Sequence, residues 1–579
     1  MTRFVFSRGQ SDHEPAGTNG LPERIQKLMR LELAPRTVAM ILALWCTLLL
    51  NQALWRHVTQ LYEVSNAPWV LYLVLAALLV CGNFLWLMLF AWRPLRKIVW
   101  SLTLLAAANA QFYMLRYGVL MDKSMLRNIL DTNPGEAWAL LTPALLLHVV
   151  LFAGLPIFWL WCMVRFVPAS AKRSISTSMA WIFGVIAATG ILVAASYASV
   201  KPAVQTHKTL RYLMNPLASL VSWNSVVIKP LLKPQKPLNS INAGAQLGSS
   251  YSEAANTFSK PPLVILVVGE TTRGDHFSLN GYARKTNSDL ATKQVLSWTQ
   301  ARSCGTSTNV SVPCMFSHQE QKHFQRLARN DTNLLDMLQT VGLAVNWLDN
   351  QAGCQGVCAR IPYLQADHIA SPEAVHMWCT DGECLDRLMV EVLDEQLNSL
   401  PESARARGAV LVLHQMGSHG PSYYRRSAVD TKRFQPECRN DEIASCSREA
   451  LVNAYDNSMA ETDRFLAQTI EWLQTKEEHF ATSMLYVADH GESLGEEGVY
   501  MHAAPYEFAP NAQTQVPWVW WPGTLVQRNR IDTACVAQRV NQPISHDNYF
   551  HTVLGMLDVH TPYYEAQLDL LAPCRAQRS

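Results

Sequence analysis

The chain has 579 residues, enough for several domains. Its 48 basic and 46 acidic residues leave a formal charge of +2, so no basic field is available for nucleic acid and function has to be sought in local sites. The even balance conceals two unlike halves: residues 37–200 are mostly apolar, whereas 260–579 have the make-up of an ordinary soluble domain.

Residues 1–36 read as a flexible cytoplasmic tail. Five apolar runs follow, at about 37–58, 67–92, 97–120, 136–167 and 174–200. Each supplies the roughly 20 apolar residues that a bilayer core demands. Basic residues concentrate on alternate sides of these runs: Arg24, Lys27, Arg30 and Arg36 before the first, Arg93, Arg96 and Lys97 after the second, Arg165, Lys172 and Arg173 after the fourth. The positive-inside rule places all three groups in the cytoplasm, so five crossings deliver the C-terminal half to the opposite side. The first run starts late, is long and lacks a small-residue cleavage site, which argues against a cleaved signal peptide. On the outer side, between the third and fourth runs, RYGVLMDKSMLRNILDTNPGEA offers Met125, Ile129 and Leu130 to the membrane surface. Residues 201–259 read as an interfacial helix and a linker. Asn215-Pro216 starts the helix, with Leu217, Leu220, Val221, Val227 and Ile228 on its apolar face. The Pro-, Gly- and Ser-rich stretch that follows reads as extended linker.

Cysteine usage points the same way. Cys46, Cys81 and Cys162 lie in apolar runs, where a thiol acts as a small apolar group. The other ten lie beyond residue 300 and are even in number. Close spacing suggests the pairs Cys304–Cys314, Cys354–Cys358, Cys379–Cys384 and Cys438–Cys446, with Cys535 and Cys574 left over. Disulfides persist in oxidising compartments. The two-pair CxxC spacing of a zinc site does not occur.

From residue 260 onward, short apolar runs end abruptly in polar residues: PPLVILVVGETT, GLAVNWLDN, GAVLVLHQMGSHG and SMLYVADHGES. Helical patterns such as NLLDMLQTV and DEQLNSL separate them, which predicts an α/β domain with a mostly parallel sheet. Such sheets bind ligands beyond the carboxyl ends of their strands, so Glu270, His414, His419, Asp489 and His490 should gather along one edge. Glu270, Asp489 and His490 offer oxygen and imidazole ligands of a kind that suits zinc and leaves a position open. A hydroxyl in that position would ionise more readily and become a nucleophile. The stretch SCGTSTNVSVPC brings three candidates, Thr306, Ser307 and Thr308, inside one cysteine-bracketed loop. Closing a loop of this size stabilises the fold by about 3 kcal/mol through the unfolded chain.

Together VVGETTRGDHFSLNGYARKT, SCGTSTNVSVPCMFS, LHQMGSHGPSYYRR, VNAYDNS and YVADHGESLGEEGVYMHAAP resemble the phosphoethanolamine–lipid A transferases, a family of the alkaline phosphatase and sulfatase superfamily that includes the mobile colistin-resistance enzymes. The five apolar runs, HKTLRYLMNP and DKSMLRNILDT extend the likeness over nearly the whole chain. The resemblance implies five transmembrane helices followed by a sulfatase-like periplasmic domain, in a Gram-negative inner membrane. It implies transfer of phosphoethanolamine from phosphatidylethanolamine to a lipid A phosphate through an adduct on Thr308, which blunts attraction of cationic peptides. Zinc ligands would be Glu270, Thr308, Asp489 and His490. His419, His502 and Glu492 would serve a second metal or the substrate phosphate, and Asn128, Thr132 and Glu136 the lipid donor. The four close cysteine pairs agree with the family's disulfides; a Cys535–Cys574 pair is an addition of our own. No obligate protein partner is evident.

Two residues depart from the pattern. Gln351 and Gln355 in DNQAGCQGVC stand where the family usually has a second Asn and a Lys, replacing a charge toward phosphate by a neutral donor. Gly274 stands where an alanine is common. Phosphoethanolamine transfer to lipopolysaccharide core sugars and a lipoteichoic-acid-type phosphoglycerol transferase are the neighbouring readings. The Cys-x-Pro-x-Arg signature of sulfatases is absent around Thr308, and an inactive binding module would hold no metal.

Overall fold

The computed structural model describes residues 31–63, 69–91, 95–132, 137–138, 140–167, 171–232, 237–251, 260–324, 330–351 and 353–576. They form two compact units. The first holds residues up to Gln52, Val58–Asn109 and Leu147–Thr206; the second holds Ala53–His57, Ala110–Leu146 and the chain from His207 onward.

Among the described residues four helices are long and apolar enough to cross a membrane: Leu71–Leu89, Arg96–Tyr117, Pro143–Met163 and Ile175–Tyr197. The first apolar run is not one straight span. It forms Pro35–Leu49 and a second helix from Gln52, bent by 43°. The break has a local cause: the Asn51 side chain donates to the Cys46 carbonyl at 2.8 Å and closes the first helix. The core of this unit joins Leu42, Trp100 and Leu104 with Ala39, Ala43, Ala107 and Ala108, small residues that let helices approach closely. Phe183 and Ile191 of the last span stay exposed, as a lipid-facing surface requires. Residues Leu31–Leu33, expected within a flexible tail, instead pair in parallel with Val164–Phe166.

The second unit is built on an eight-stranded sheet. Its strands are β1 (Pro262–Gly269), β2 (Leu296–Arg302), β3 (Ala344–Asp349), β4 (Tyr363–Gln365), β5 (Ala409–His414), β6 (Ala481–Ala488), β7 (Gln515–Trp521) and β8 (Ile544–Ser545). Their order is β8-β2-β7-β6-β1-β5-β3-β4. From β6 to β4 every neighbour is parallel, while β7 is antiparallel to both of its neighbours. Every residue of β1, β3, β5 and β6 is buried, which is why these strands read as unbroken apolar runs rather than alternating ones. Three helices bear on the site: α1 (Lys123–Asp131), α2 (Thr308–Met315) and the long α3 (Arg448–Thr475). Asp122 caps α1 by accepting from Met125 N at 2.9 Å, and Ser447 caps α3.

The helix expected to lie at the membrane interface begins at Leu217, behind Pro216, and continues through a π-turn to Leu232. Val221, Trp223, Ile228, Leu231 and Leu232 are exposed, whereas Ala218 and Ser222 face inward. The linker after it is not free along its length. Ile241 is buried, Gln246–Leu247 pairs with Val559–His560, and Ser250 N donates to Asp558 at 2.8 Å. Prolines in this stretch suppress helix but leave those backbone groups able to pair. Disulfides join Cys304–Cys314, Cys354–Cys358, Cys379–Cys384, Cys438–Cys446 and Cys535–Cys574.

Candidate active site and metal centre

Strand register creates the site. β1 and β6 are parallel, with Gly269 opposite Ala488. The next residues, Glu270 and Asp489, therefore leave the sheet side by side. His490 follows, and a ligand atom from each of the three lies within 4.8 Å of the others. All three side chains are buried. Backbone and side chain then aim them. Thr271 takes a left-handed conformation (φ 57°), and its N–H donates to Asp489 Oδ1 at 3.1 Å. His490 N donates to the same oxygen at 2.6 Å. The imidazole Nδ1 of His490 lies 2.9 Å from the Gly491 carbonyl, so it carries the proton and Nε2 keeps its lone pair. Gly417, also left-handed, lets its loop close on Glu270, where an added Cβ would meet the Glu270 carbonyl oxygen at 2.5 Å.

The loop hydroxyls separate by partner. Thr306 donates to the Ala504 carbonyl at 2.6 Å, and Ser307 to Asn309 Oδ1 at 3.2 Å. Thr308, the first residue of α2, alone of the three reaches the triad. Its Oγ1 lies 3.1 and 3.3 Å from the two Glu270 oxygens and 3.4 Å from His490 Nε2. His546 holds the start of this loop: Cys304 N donates to Nδ1 at 3.0 Å, and Nε2 donates to the Ala488 carbonyl at 3.0 Å. Burial pushes the His546 imidazole down to about 3, in keeping with a neutral ring that both accepts and donates.

The electrostatics ask for a cation. Burial, then the neighbouring Asp489, raises the Glu270 carboxyl. Burial pushes Asp489 up to about 7, and burial followed by His502 pushes His490 down to about 4. Asp489 Oδ2 is buried without a hydrogen-bond partner of good geometry; its near neighbours are His490 Nε2 at 3.3 Å and the Thr308 side chain. Two carboxylates and an imidazole packed together cost free energy unless positive charge joins them. The donor set fits a divalent metal, with Thr308 Oγ1 beside the open side.

Next to this triad stand His502 and His419. The His502 ring lies 4.5 Å from that of His490 and 5.4 Å from that of His419, centre to centre. Glu492 orients His502 (Oε2 to Nδ1, 3.1 Å) and accepts from the buried Tyr423 hydroxyl at 2.9 Å. Burial pushes Glu492 up to about 8 and lowers both histidines. His414, expected at the same edge, is turned toward Asp349 (2.8 Å). Asn128 on α1 accepts from Asn309 at 2.9 Å, one residue beyond Thr308. Thr132 donates to the Asn128 carbonyl, closing its own helix. Glu136 lies outside the described residues.

Four residues that sequence reasoning did not assign to the centre contribute to it. Thr271 and His546 gave no signal beyond GETT and a lone histidine in ISHDNY. Tyr423 lay in GPSYYRR without a reason to prefer either tyrosine. Gln351 stands out in the sequence only as a departure from the family pattern; its Nε2 donates to Glu270 Oε2 at 3.0 Å.

Fold and site together define a sulfatase-like catalytic domain carried by a helical membrane segment. A sulfatase family model matches residues 262–559, and one described as phosphoethanolamine transferase EptA/EptB matches 79–231. The phosphoethanolamine transferase EptA of Escherichia coli K12 is 36% identical over 550 residues, covering 93% of this chain and 96% of its own. The phosphatidylethanolamine transferase Mcr-1 of Escherichia coli is 31% identical over 544 residues, covering 92% and 96%. The solved integral membrane lipooligosaccharide phosphoethanolamine transferase A of Neisseria meningitidis superposes with a TM-score of 0.86 at 31% identity, covering 94% of this chain and 100% of its own. The chain belongs to the phosphoethanolamine transferase family. It is an integral inner-membrane protein whose C-terminal half is periplasmic.

Proposed function

We propose that this enzyme moves phosphoethanolamine from phosphatidylethanolamine to a phosphate of lipid A through a covalent adduct on Thr308, with zinc held by Glu270, Thr308, Asp489 and His490. The observation that carries this reading is the reach of one loop hydroxyl, Thr308 Oγ1, to the buried Glu270–Asp489–His490 cluster. Zinc bound there would lower the proton affinity of a hydroxyl and offset charge developing on phosphoryl oxygens.

In the first step Thr308 Oγ1 attacks the donor phosphorus and the bond to diacylglycerol breaks. The Thr308 proton has a Glu270 carboxylate oxygen as its neighbouring acceptor, since His490 Nε2 is committed as a ligand, and the diacylglycerol oxygen takes up one proton. His502, oriented by Glu492, and His419 line this side of the cluster and serve the phosphate and the leaving oxygen. Thr308 is the first residue of α2, whose leading amides lack intrahelical acceptors and favour an anion. In the second step a lipid A phosphate oxygen attacks the adduct, the phosphorus–Oγ1 bond breaks, and Thr308 regains a proton. Asn128, through Asn309, ties α1 to the nucleophile loop and supports a donor-handling role for that helix.

Mass spectrometry of lipids from expressing cells tests the reading. Wild type should yield lipid A carrying phosphoethanolamine, and Thr308→Ala should yield none. Modification found only on core sugars, or a transferred phosphoglycerol, would contradict the stated acceptor or donor.

A further inference from the structure

We infer that the C-terminal end of the membrane helix Arg96–Tyr117 positions His502: Tyr117 and Gly118 brace the hairpin that carries this histidine, which makes them positioning residues for the transfer. The inference rests on the reading above, in which His502 serves the phosphate and the leaving oxygen, and deepens it. Residues Ala110–Leu146 belong to the same compact unit as His502.

The hairpin pairs Ser493–Leu494 with Tyr500–Met501 in antiparallel register, Ser493 opposite Met501. Glu492 and His502 are the next residues of its two strands, so the register sets the carboxylate across from the imidazole it orients. The backbone on both sides of His502 is left-handed: Met501 has φ 64° and Ala503 φ 69°. Neither residue type favours that region, so contacts from outside the hairpin must hold both in place.

Three braces supply those contacts. The nucleophile loop is the first: Ala503 N donates to the Thr306 carbonyl at 2.7 Å, and the Thr306 hydroxyl to the Ala504 carbonyl at 2.6 Å. Gln513 is the second; its side chain donates to the Met501 carbonyl and accepts from Ala504 N, both at 3.1 Å. The third is the end of the membrane helix. Tyr117 is buried and meets Tyr500 edge to face, with ring centres 6.2 Å apart. Tyr113 stacks behind Tyr117 at 5.6 Å, and the far side of the Tyr500 ring rests on Gly495, where an added Cβ would meet it at 2.9 Å. Gly118, itself left-handed (φ 68°), lies against the turn of the hairpin. An added Cβ there would meet the Gly498 carbonyl oxygen at 2.9 Å and Val499 Cα at 3.2 Å. Tyr500 thus sits between the helix end and its own turn, just before His502. Glu270, Asp489 and His490 are placed instead by the ends of β1 and β6. Loosening the third brace therefore shifts the histidine and leaves the metal ligands where they are.

The test measures loading of Thr308 from phosphatidylethanolamine, by intact mass, on the full-length protein in detergent. Tyr117→Ala and Gly118→Ala are each made alone and combined with His502→Ala. Each single variant should load about tenfold more slowly than wild type, a loss on the scale expected when a remote substitution displaces a reacting group, while bound zinc per protein keeps its wild-type value. In the His502→Ala background neither should slow loading by more than about a further twofold, because the group they position is gone. Tyr117→Phe keeps the ring and should recover most of the rate. Tyr500→Ala removes the same contact from the hairpin side, should either variant of the helix end fail to fold. Wild-type rates in these variants would overturn the inference, and so would slowing that persists undiminished in the His502→Ala background. A His502→Ala protein that loads at full rate would overturn it as well, by removing the role on which it rests. If wild-type Thr308 never loads, the transfer mechanism is what fails, and hydrogen exchange then decides the brace by itself. The amides of Ala503 and Ala504 should exchange about tenfold faster in Gly118→Ala than in wild type, and equal protection would overturn the inference.

Discussion

The hydroxyl of Thr308 lies 3.1 Å from Oε2 of Glu270, although the loop and strand that carry them meet only through the folded sheet edge. This pairing selects one hydroxyl from three and turns a disulfide-closed turn into a presenting device. Thr308→Ala should abolish transfer. Thr308→Ser keeps the oxygen but frees χ1, and its rate should fall roughly 10- to 100-fold, since positioning supplies much of the advantage of a held nucleophile. Steady-state rates with a labelled phosphatidylethanolamine check both.

Metal removal should destabilise the protein in a pH-dependent way. In the metal-free fold burial holds Asp489 at about 7, whereas an unfolded aspartate titrates near ~3.9. Between those values the folded chain keeps a proton that the unfolded chain has lost, so this group's stabilising contribution declines as pH rises through the window. Glu492, raised to about 8, adds in the same direction. Zinc binding at the same oxygens opposes the trend. Below about pH 6.5 the buried histidines, held low in the fold, act in the opposite sense; from pH 6.5 to pH 8 chelated protein should therefore lose melting temperature, and a fixed zinc concentration of 100 times the pH 8 Kd should restore about 2.7 kcal/mol at the upper end and less at the lower. Thermal melts with and without chelator measure this; an equal zinc effect at both ends contradicts it.

Gln351 should act through Glu270. Its amide donates to Glu270 Oε2 at 3.0 Å and so fixes one carboxylate of the cluster. Gln351→Ala should weaken zinc affinity by roughly 10- to 100-fold, the usual cost of losing a residue that orients a ligand. Competition with a chromogenic chelator reads it directly. A variant with wild-type affinity would remove Gln351 from the centre.

Much of this architecture was legible in the residues, and the reasons differ by element. Strands β1, β3, β5 and β6 announced themselves because burial on both faces leaves continuous apolar runs that end in ionisable groups. That ending placed Glu270, Asp489 and His490 at one edge before any geometry was known. The bend after Leu49 was not legible, since Asn51 and its partner carbonyl sit inside a composition that reads as one span. The linker was misjudged for a similar reason: Pro and Gly content reports local stiffness but not the remote Asp558 and Thr332 that hold Ser250 and Ile241. Long-range orienting contacts, such as His546 to Cys304 and Ala488, leave no periodic trace at all.

His546 offers a separable test of loop rigidity. Its imidazole satisfies one buried N–H and one buried carbonyl, and His546→Ala strands both. The loss should be about 1–3 kcal/mol in denaturant unfolding, with transfer reduced beyond what the stability change explains, because the Thr308 loop loses its tether. Equal activity per folded molecule would show that the disulfide alone holds the loop.

The most direct test of the central claim is the intact mass of the purified, zinc-loaded protein after incubation with phosphatidylethanolamine and no acceptor. Wild type should gain a single phosphoethanolamine, located by fragmentation on Thr308, and Thr308→Ala should gain none. A wild-type protein that transfers the group to lipid A while never carrying it, or an alanine variant that becomes loaded, would contradict the account.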